Sequence, residues 1–362
     1  MADPNSATAA SPTMDSARYG LLLRAWLARS APRAAEGAYC GWRDAATGDH
    51  SFPYPEITGY MLTFASYCRW QPAEVSEPEC ASRWLTSILA DGRIDCRPDK
   101  PTPAVYLFDL GMIAQGLLRY GTYREDAELI ESGLKLVQAI RQALPHGGEP
   151  LAPIIGAHRL PPTWSTAGTA HLLKLLLPLL TAARLGDEAS LPAAHRLITA
   201  VGTPFAPDRT PEVITCPGAD VVSLHAACYA AEGLWAFGTG ADDTESAVLA
   251  RRITRWVWGH QLAGGGFPGF IRRDGSPAGG PQSDVLAQAI RLAHLTQAQV
   301  DGLDRAVDAL TASAAVDGEG IGIVYSPGSA ARHLNTWASM FAAQALDLHE
   351  IAGHRIDWPD LV

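Results

Sequence analysis

Positive charge is scarce in this sequence, and lysine is almost absent. Of the 28 basic residues only Lys100, Lys135 and Lys174 are lysines, and 38 acidic residues leave a formal net charge of −10 over 362 residues. Nonspecific binding to nucleic acid or to an anionic membrane depends on a basic surface. We therefore expect neither among the partners of this protein.

Long apolar runs and a secretory leader are also lacking. The most apolar run, residues 172–180, is far shorter than the roughly 20 residues that a membrane-spanning helix needs. Residues 1–16 have neither the basic start nor the apolar segment of a secretory signal. These absences predict a cytoplasmic protein with a disordered tail over residues 1–14.

Motifs for a nucleotide, a metal or a serine nucleophile are missing as well. The sequence has no P-loop, no G-x-G-x-x-G and no G-x-S-x-G. The six cysteines form no C-x-x-C pair, and Cys216 with His225 would be too few ligands for a metal site. We predict no cofactor and no metal, and a small molecule or an oligosaccharide as the partner.

Helix-forming sequence, in contrast, is abundant. Hydrophobic residues make up 47% of the chain and recur at helical spacing through most of it, which predicts an all-α fold. Twelve helices are predicted, at 15–29, 55–71, 77–91, 104–121, 124–145, 165–185, 187–202, 221–238, 241–262, 282–296, 298–315 and 333–352.

Long and short connections alternate between these helices. Every second helix follows a long loop rich in glycine and proline, and such helices begin about every 50–60 residues. Six helical hairpins with their long loops on one side can close into an (α/α)6 toroid, for which an open solenoid is the competing arrangement. We predict a single toroid domain over residues 15–362. The helices that follow the long loops would form its inner ring.

A closed ring would gather the long loops and the first turns of the inner helices into a funnel at one end. Helix N-termini present unpaired N–H groups and partial positive charge, which suit anionic or hydroxyl-rich ligands. We therefore expect the active site in this funnel.

Acid/base and aromatic side chains recur in these first turns. Glu56 shares a helix face with Tyr60, and His225, Tyr229 and Glu232 form a polar stripe on an otherwise apolar helix. The residues predicted to be catalytic are Glu56, His225, Asp284 and Tyr229. Those predicted to bind substrate are Tyr54, Tyr60, Tyr106, Asp109, Trp164, His171, Gln288, His333, Asn335 and Trp337. For each of them a helix cap, a partner of the helix dipole or a satisfied core residue is the alternative.

Four segments carry a resemblance to known proteins. They read YPEITGY at 54–60, SLHAACYAAEGL at 223–234, SDVLAQAIRL at 283–292 and HLNTWASMFAAQAL at 333–346. They resemble segments of α/α-toroid proteins from bacterial polysaccharide and sugar-modifying gene clusters. That fold group includes six-hairpin glycosidases, N-acylglucosamine 2-epimerases and uronyl epimerases. The likeness spans most of residues 50–350 and implies a toroid that acts on a sugar.

Two reactions fit the predicted site. A sugar epimerase, isomerase or lyase needs a base that removes a proton beside a carbonyl and an acid that returns one, which the histidines, the tyrosines and Glu56 could supply. A glycosidase needs paired carboxylates, for which Glu56 and Asp284, with Asp109 in reserve, would serve. The number of histidines and tyrosines favours proton transfer.

Arginines in or beside the long loops lead us to expect an anionic or nucleotide-linked sugar. They are Arg43, Arg93, Arg97, Arg159, Arg209, Arg272, Arg273 and Arg332. Two other classes stay open. Residues 261–267 fit Q-x3-G-x-F and resemble part of a repeat of α/α-toroid isoprenoid cyclases, although the D-x-D-D motif of those cyclases is absent. A non-catalytic carbohydrate-binding toroid is the remaining alternative.

Overall fold

The computed structural model describes residues 16–90, 92–97, 104–146, 149, 151–155, 163–202, 220–318, 320–351 and 353–362. Its helices are α1 Ser16–Arg29, α2 Pro55–Cys68, α3 Glu77–Ser87, α4 Leu107–Arg124, α5 Ala127–Ala143, α6 Trp164–Ala167, α7 Leu176–Arg184, α8 Ser190–Gly202, α9 Leu224–Gly240, α10 Thr244–Trp258, α11 Ser283–Leu295, α12 Leu303–Ala312 and α13 Thr336–Glu350. Its strands are β1 Trp42–Asp44, β2 Val105–Tyr106, β3 Ile154–Ile155, β4 Val221–Ser223, β5 Pro268–Arg272, β6 Pro277–Pro281, β7 Ala314–Asp317, β8 Gly320–Val324 and β9 His333–Asn335. The predicted tail over 1–14, Cys216, Arg159 and Arg209 lie outside the described residues.

The helices form two concentric rings, as the alternation of loops predicted. In the inner ring α2, α4, α7, α9, α11 and α13 each contact the next helix, and α13 contacts α2. The outer helices α3, α5, α8, α10 and α12 each pack on the inner helix that precedes or follows them, and α1 packs on α13. The described helices therefore close into six pairs.

The inner helices approach one another closely because small residues face their contacts. A Cβ atom added at Gly116 of α4 would lie 2.2 Å from the carbonyl oxygen of Gly59 on α2. A Cβ atom at Gly233 of α9 would lie 1.9 Å from the carbonyl oxygen of Leu173. These contacts are shorter than any side chain allows, so glycine is required at both positions.

Three inner helices begin later than predicted, because a short strand precedes each of them. The predicted start at 104 lies one residue before β2, those at 221 and 333 are the first residues of β4 and β9, and the helices begin at Leu107, Leu224 and Thr336. The side chains of Ser223 and Asn335 accept hydrogen bonds from backbone N–H groups in the first turns of α9 and α13, which stabilises these later starts. β4 pairs with β5, β2 with β3, and β9 lies between β1 and β8.

The predicted helix 165–185 is broken. Gly168 has an extended backbone, and the chain passes from α6 through a 3-10 turn, Ala170–Leu175, into α7. Pro178 lies in the first turn of α7, where its missing N–H group costs least. The break brings His171 and Lys174 into the interior of the ring, where both are buried.

The outer helices are shorter than predicted at their ends. The predicted 241–262 is α10, and the predicted 298–315 is α12 followed by β7. Gln261, the first residue of the Q-x3-G-x-F segment, donates to the carbonyl oxygens of Gly265 and Gly302 at 3.2 and 2.9 Å. These hydrogen bonds stabilise the turn after α10, so this segment has a structural role.

The last residues close the ring at the C-terminal ends of the inner helices. The Gln115 amide of α4 donates to the carbonyl oxygen of Pro359 at 2.7 Å, and the Gln344 amide of α13 donates to that of Asp360 at 2.7 Å. Trp358 is 3% exposed and Val362 is fully buried. The interior of the ring is thus sealed at this end and open at the other. Among the described residues, no helix has the length and apolarity needed to span a membrane.

Candidate active site

The first turns of the inner helices surround a cavity of about 230 Å³. Its lining residues are Tyr54, Glu56, Ile57, Arg97, Tyr106, Phe108, Asp109, Trp164, Ser165, His171, His225, Tyr229, Asp284, Tyr325 and Trp337. Ten of the fourteen residues that the sequence predicted are in this set, although they come from positions far apart in the chain. Ligand pockets commonly measure about 300–1,000 Å³, so this one suits a single small unit of substrate.

The other four predicted residues lie elsewhere. Tyr60 is buried and its ring packs on that of Phe341, with 5.9 Å between centroids, and Gln288 is fully buried and hydrogen-bonded to His225. His333 stacks on Trp42, with 4.0 Å between the ring centroids, in the sheet of β1 and β9. Asn335 accepts a backbone hydrogen bond as the cap of α13. His333 and Asn335 therefore have structural partners outside the cavity.

Glu56 and Asp109 place two carboxyl groups in the cavity from neighbouring helices. Glu56 is the second residue of α2, after Pro55, and Asp109 is the third residue of α4. Burial raises the pKa of Glu56 to about 7, against a hydrogen bond from Tyr54 and the charge of Lys174. Burial and then the charge of Glu56 hold the pKa of Asp109 well above its usual range. The pair therefore carries at least one proton at neutral pH.

Asp284 and His225 lie on the opposite side of the ring, at the starts of α11 and α9. The Asp284 Oδ2 atom is 3.4 Å from the His225 Nδ1 atom and 3.4 Å from the Trp337 Nε1 atom. The backbone N–H of Val285 donates to Asp284 Oδ1 at 2.8 Å. Burial lowers the pKa of His225 although Asp284 opposes this, so the imidazole is neutral at pH 7.

His171 gives the cavity a second neutral imidazole. Among the described residues neither of its ring nitrogens has a hydrogen-bond partner, and burial lowers its pKa to about 3. Its ring lies 5.4 Å from that of Trp164, whose other neighbour is His225 at 5.5 Å between centroids. Trp164 thus contacts both histidines.

Sequence reasoning missed part of the lining and Lys174 beneath it. Tyr325 follows β8 in a segment predicted as loop, and its hydroxyl hydrogen-bonds to Asp284, which contributes to a raised pKa of Tyr325. Phe108, which the sequence analysis did not single out, lines the cavity beside Tyr229, with 4.8 Å between ring centroids. Lys174 lies within an apolar run, so it showed no polar face, and only the helix break turns it inward.

Lys174 forms an ion cluster below the cavity. Its Nζ atom donates to Glu232 Oε2 at 2.7 Å and lies 4.6 Å from the ring centre of Tyr229 and 5.1 Å from that of Tyr60. Arg291 donates to the other oxygen of Glu232. Burial lowers the pKa of Lys174 to about 8, with Glu232 opposing the shift. The two cations lower the pKa of Glu232 in spite of its burial, so this carboxylate is ionised.

Comparisons with known proteins establish the fold. No protein-family model matches the sequence, and no curated protein sequence matches it. The structure is similar to cellobiose 2-epimerase from Bacillus thermoamylovorans B4167, with a TM-score of 0.71, 13% identity and coverage of 92% of this chain and 98% of that one. It is also similar to unsaturated glucuronyl hydrolase from Bacillus sp. GL1, with a TM-score of 0.66, 12% identity and coverage of 92% and 95%.

A third similar structure is an inactive variant of the α-1,6-mannanase GH76A of Salegentibacter sp. HEL1_6 in complex with α-1,6-mannotriose. Its TM-score is 0.62 at 10% identity, with coverage of 92% of this chain and 98% of that one. These proteins are sugar epimerases and glycosidases with (α/α)6-toroid folds. At such low identity the likeness bears on architecture, and by architecture this chain is an (α/α)6 toroid.

Proposed function

We propose that this protein is a carbohydrate-active enzyme that hydrolyses a glycosidic bond by acid/base catalysis in the cavity. The observation that carries the proposal is the Glu56–Asp109 pair, two buried carboxyl groups that keep a proton at neutral pH, across the ring from the carboxylate of Asp284. Glycosidases usually use one carboxyl group that keeps its proton as the acid and a second carboxyl group as the base or nucleophile. Sugar-active enzymes among the similar structures support the substrate class.

Each carboxyl group has a role that follows from its surroundings. Glu56, with a pKa of about 7, is partly protonated at neutral pH and can donate its proton to the leaving oxygen. Asp284 accepts hydrogen bonds from Val285 N–H and Trp337 Nε1, and these donors hold it in place to activate water or attack the sugar. Asp109, kept protonated, can donate to a sugar hydroxyl. The ring of Trp164 offers a face for stacking.

The charges of the cavity favour an uncharged sugar over the anionic sugar that the loop arginines led us to expect. Of those arginines, Arg97 alone lines the cavity among the described residues, alongside three carboxyl groups. Arg43 pairs with Asp317 at 3.1 Å, and Arg272 donates to the carbonyl oxygen of Pro277 at 2.6 Å. They are thus committed to contacts of their own.

Epimerisation or isomerisation of a sugar is the second candidate, favoured by the two neutral imidazoles. A neutral His225 could remove a proton beside a carbonyl, and a protonated Glu56 could return one. His171 is the weaker base because its pKa is about 3, far below the neutral range where general bases work best. For this reason we rank hydrolysis first.

The experiment is a rate comparison on a panel of neutral oligosaccharides and aryl glycosides. We expect release of reducing sugar, and a loss on the order of 10²-fold or more in kcat for Glu56→Gln and for Asp284→Asn. Glu128→Gln is the matched control, because Glu128 is likewise the second residue of a helix, α5, but lies exposed on the outer ring.

Reaction in D2O separates the two candidates. If deuterium appears on a sugar carbon and no glycosidic bond is cleaved, the reaction is epimerisation and not hydrolysis. Full activity in folded Glu56→Gln and Asp284→Asn would remove both reactions from this cavity.

A further inference from the structure

A chain of hydrogen bonds connects the ion cluster below the cavity to His225. Gln288 stands at its centre. The Oε1 atom of Gln288 lies 2.7 Å from His225 Nδ1, and its Nε2 atom donates to Glu232 Oε1 at 3.2 Å. Lys174 and Arg291 hold the same carboxylate. Gln288, Glu232, Lys174 and Arg291 are all fully buried, so water does not compete for these bonds.

The direction of each bond follows from the charge of Glu232. An ionised carboxylate only accepts hydrogen bonds, so the neighbouring atom of Gln288 must be its NH2 group. The amide oxygen of Gln288 then faces His225, and an amide oxygen also only accepts. His225 must therefore carry its hydrogen on Nδ1.

Asp284 gives a second and independent reason for the same tautomer. Its Oδ2 atom lies 3.4 Å from the same Nδ1 atom and is also an acceptor. Two acceptors on one ring nitrogen leave the lone pair on Nε2. Within the described part of the chain Nε2 makes no hydrogen bond, and His225 lines the cavity.

We propose that Gln288 and Glu232 are positioning residues, which fix His225 as the Nδ1–H tautomer and leave its Nε2 lone pair to accept a hydrogen bond from substrate or water. Neither residue lines the cavity, so both act through His225. The use of Nε2 in catalysis rests on the proposed function, whereas the tautomer itself does not.

Nitrogen NMR of the protein labelled with 15N-histidine tests the tautomer without any substrate. The signals of His225 are assigned by their loss in His225→Asn. In the native protein at pH 7 we expect a protonated Nδ1 and an unprotonated Nε2. A protonated Nε2 in the native protein would overturn the proposal.

Gln288→Met removes the amide while keeping the length of the side chain. We expect the ratio of Nε2–H to Nδ1–H tautomers at His225 to rise about ten-fold, the effect of one lost hydrogen bond. Gln115→Met is the control, because Gln115 is also a buried amide of an inner helix with two hydrogen bonds, to Thr181 and Pro359, and none to His225. It should leave the ratio unchanged.

Gln288→Asn is a second variant in case Gln288→Met fails to fold, since it keeps an amide that is one methylene too short. An unchanged ratio in a folded Gln288 variant would overturn the role of Gln288, and an equal change in Gln115→Met would show a general effect of packing. Should the tautomer behave as expected while no glycoside is cleaved, the proposed function alone would fail.

Discussion

Glu56, the acid of the proposed reaction, lowers the stability of the fold above neutral pH. In an unfolded chain its carboxyl group has the ordinary pKa of 4.5, whereas burial in the fold raises that pKa to about 7. Between these values the unfolded chain releases its proton and the folded protein keeps it. The free energy of unfolding therefore falls as pH rises from about 4.5 to about 7.

Glu56→Gln should remove this pH dependence, because glutamine does not ionise. We expect the variant to exceed the native protein in stability at pH 8 by up to about 3 kcal/mol and to differ little at pH 4.5. Urea unfolding at both values measures the difference, with the exposed Glu128→Gln as control. A variant that is no more stable than the native protein at pH 8 would contradict the raised pKa of Glu56.

At the level of single residues, the sequence predicted best those side chains whose position within a helix sets their direction. Glu56, Asp109 and Asp284 all occupy first turns of inner helices, so ring closure alone brings them together. Asn335 also lies at a helix start, but its side chain caps the backbone. Helix-capping residues and cavity-facing residues are of the same types and occupy the same helix positions, so only the structure distinguishes them.

The contact of α2 with α4 depends on the absence of side chains at two glycines. Glycine inside a helix normally costs about 1 kcal/mol relative to alanine, so a change to alanine is expected to stabilise an open position. At Gly116 the added Cβ atom would lie 2.2 Å from the Gly59 carbonyl oxygen, which forces the helices apart.

We expect Gly116→Ala to lower the free energy of unfolding by about 1–3 kcal/mol or more. Helix propensity alone would raise it. Thermal or urea unfolding of the variant and the native protein measures this difference in stability. Gly264→Ala should be near neutral, because nothing lies within 4 Å of the added atom. A stabilised Gly116→Ala would mean that α2 and α4 pack less closely than described.

Among the elements, helices could be predicted from periodicity and the short strands could not. β2 and β3 have two residues each, which is too short to show an alternating pattern. They form because loops from different repeats meet at the funnel and satisfy each other's backbone groups there. The break before α7 escaped prediction because the apolar run 172–180 fits a buried helix as well as a turn.

For the whole molecule, the segment after α13 holds the ring together at its closed end. Removing residues 358–362 would leave the Gln115 and Gln344 amides without their carbonyl partners. We expect a loss of about 2–6 kcal/mol from these two groups alone, seen as a lower midpoint of urea unfolding.

Asp360→Asn is the comparison for this deletion. It weakens the ion pair with Arg119, 3.0 Å from Arg119 Nε, but keeps the backbone carbonyl groups, so its effect should be the smaller one. Equal effects would place the stabilisation in the ion pair and not in the sealing of the ring.

The pairing of α1 with α13 also sets the order in which the protein can fold during synthesis. Arg24 of α1 bonds to Asp347 of α13, 323 residues later, and Leu23, Trp26 and Leu27 of α1 are fully buried. Translation at about 5–20 residues per second puts roughly 15–65 s between these helices. During that interval α1 has left the ribosome while its apolar face still lacks β8 and α13, so a chain stalled before these elements would expose a surface suited to chaperones.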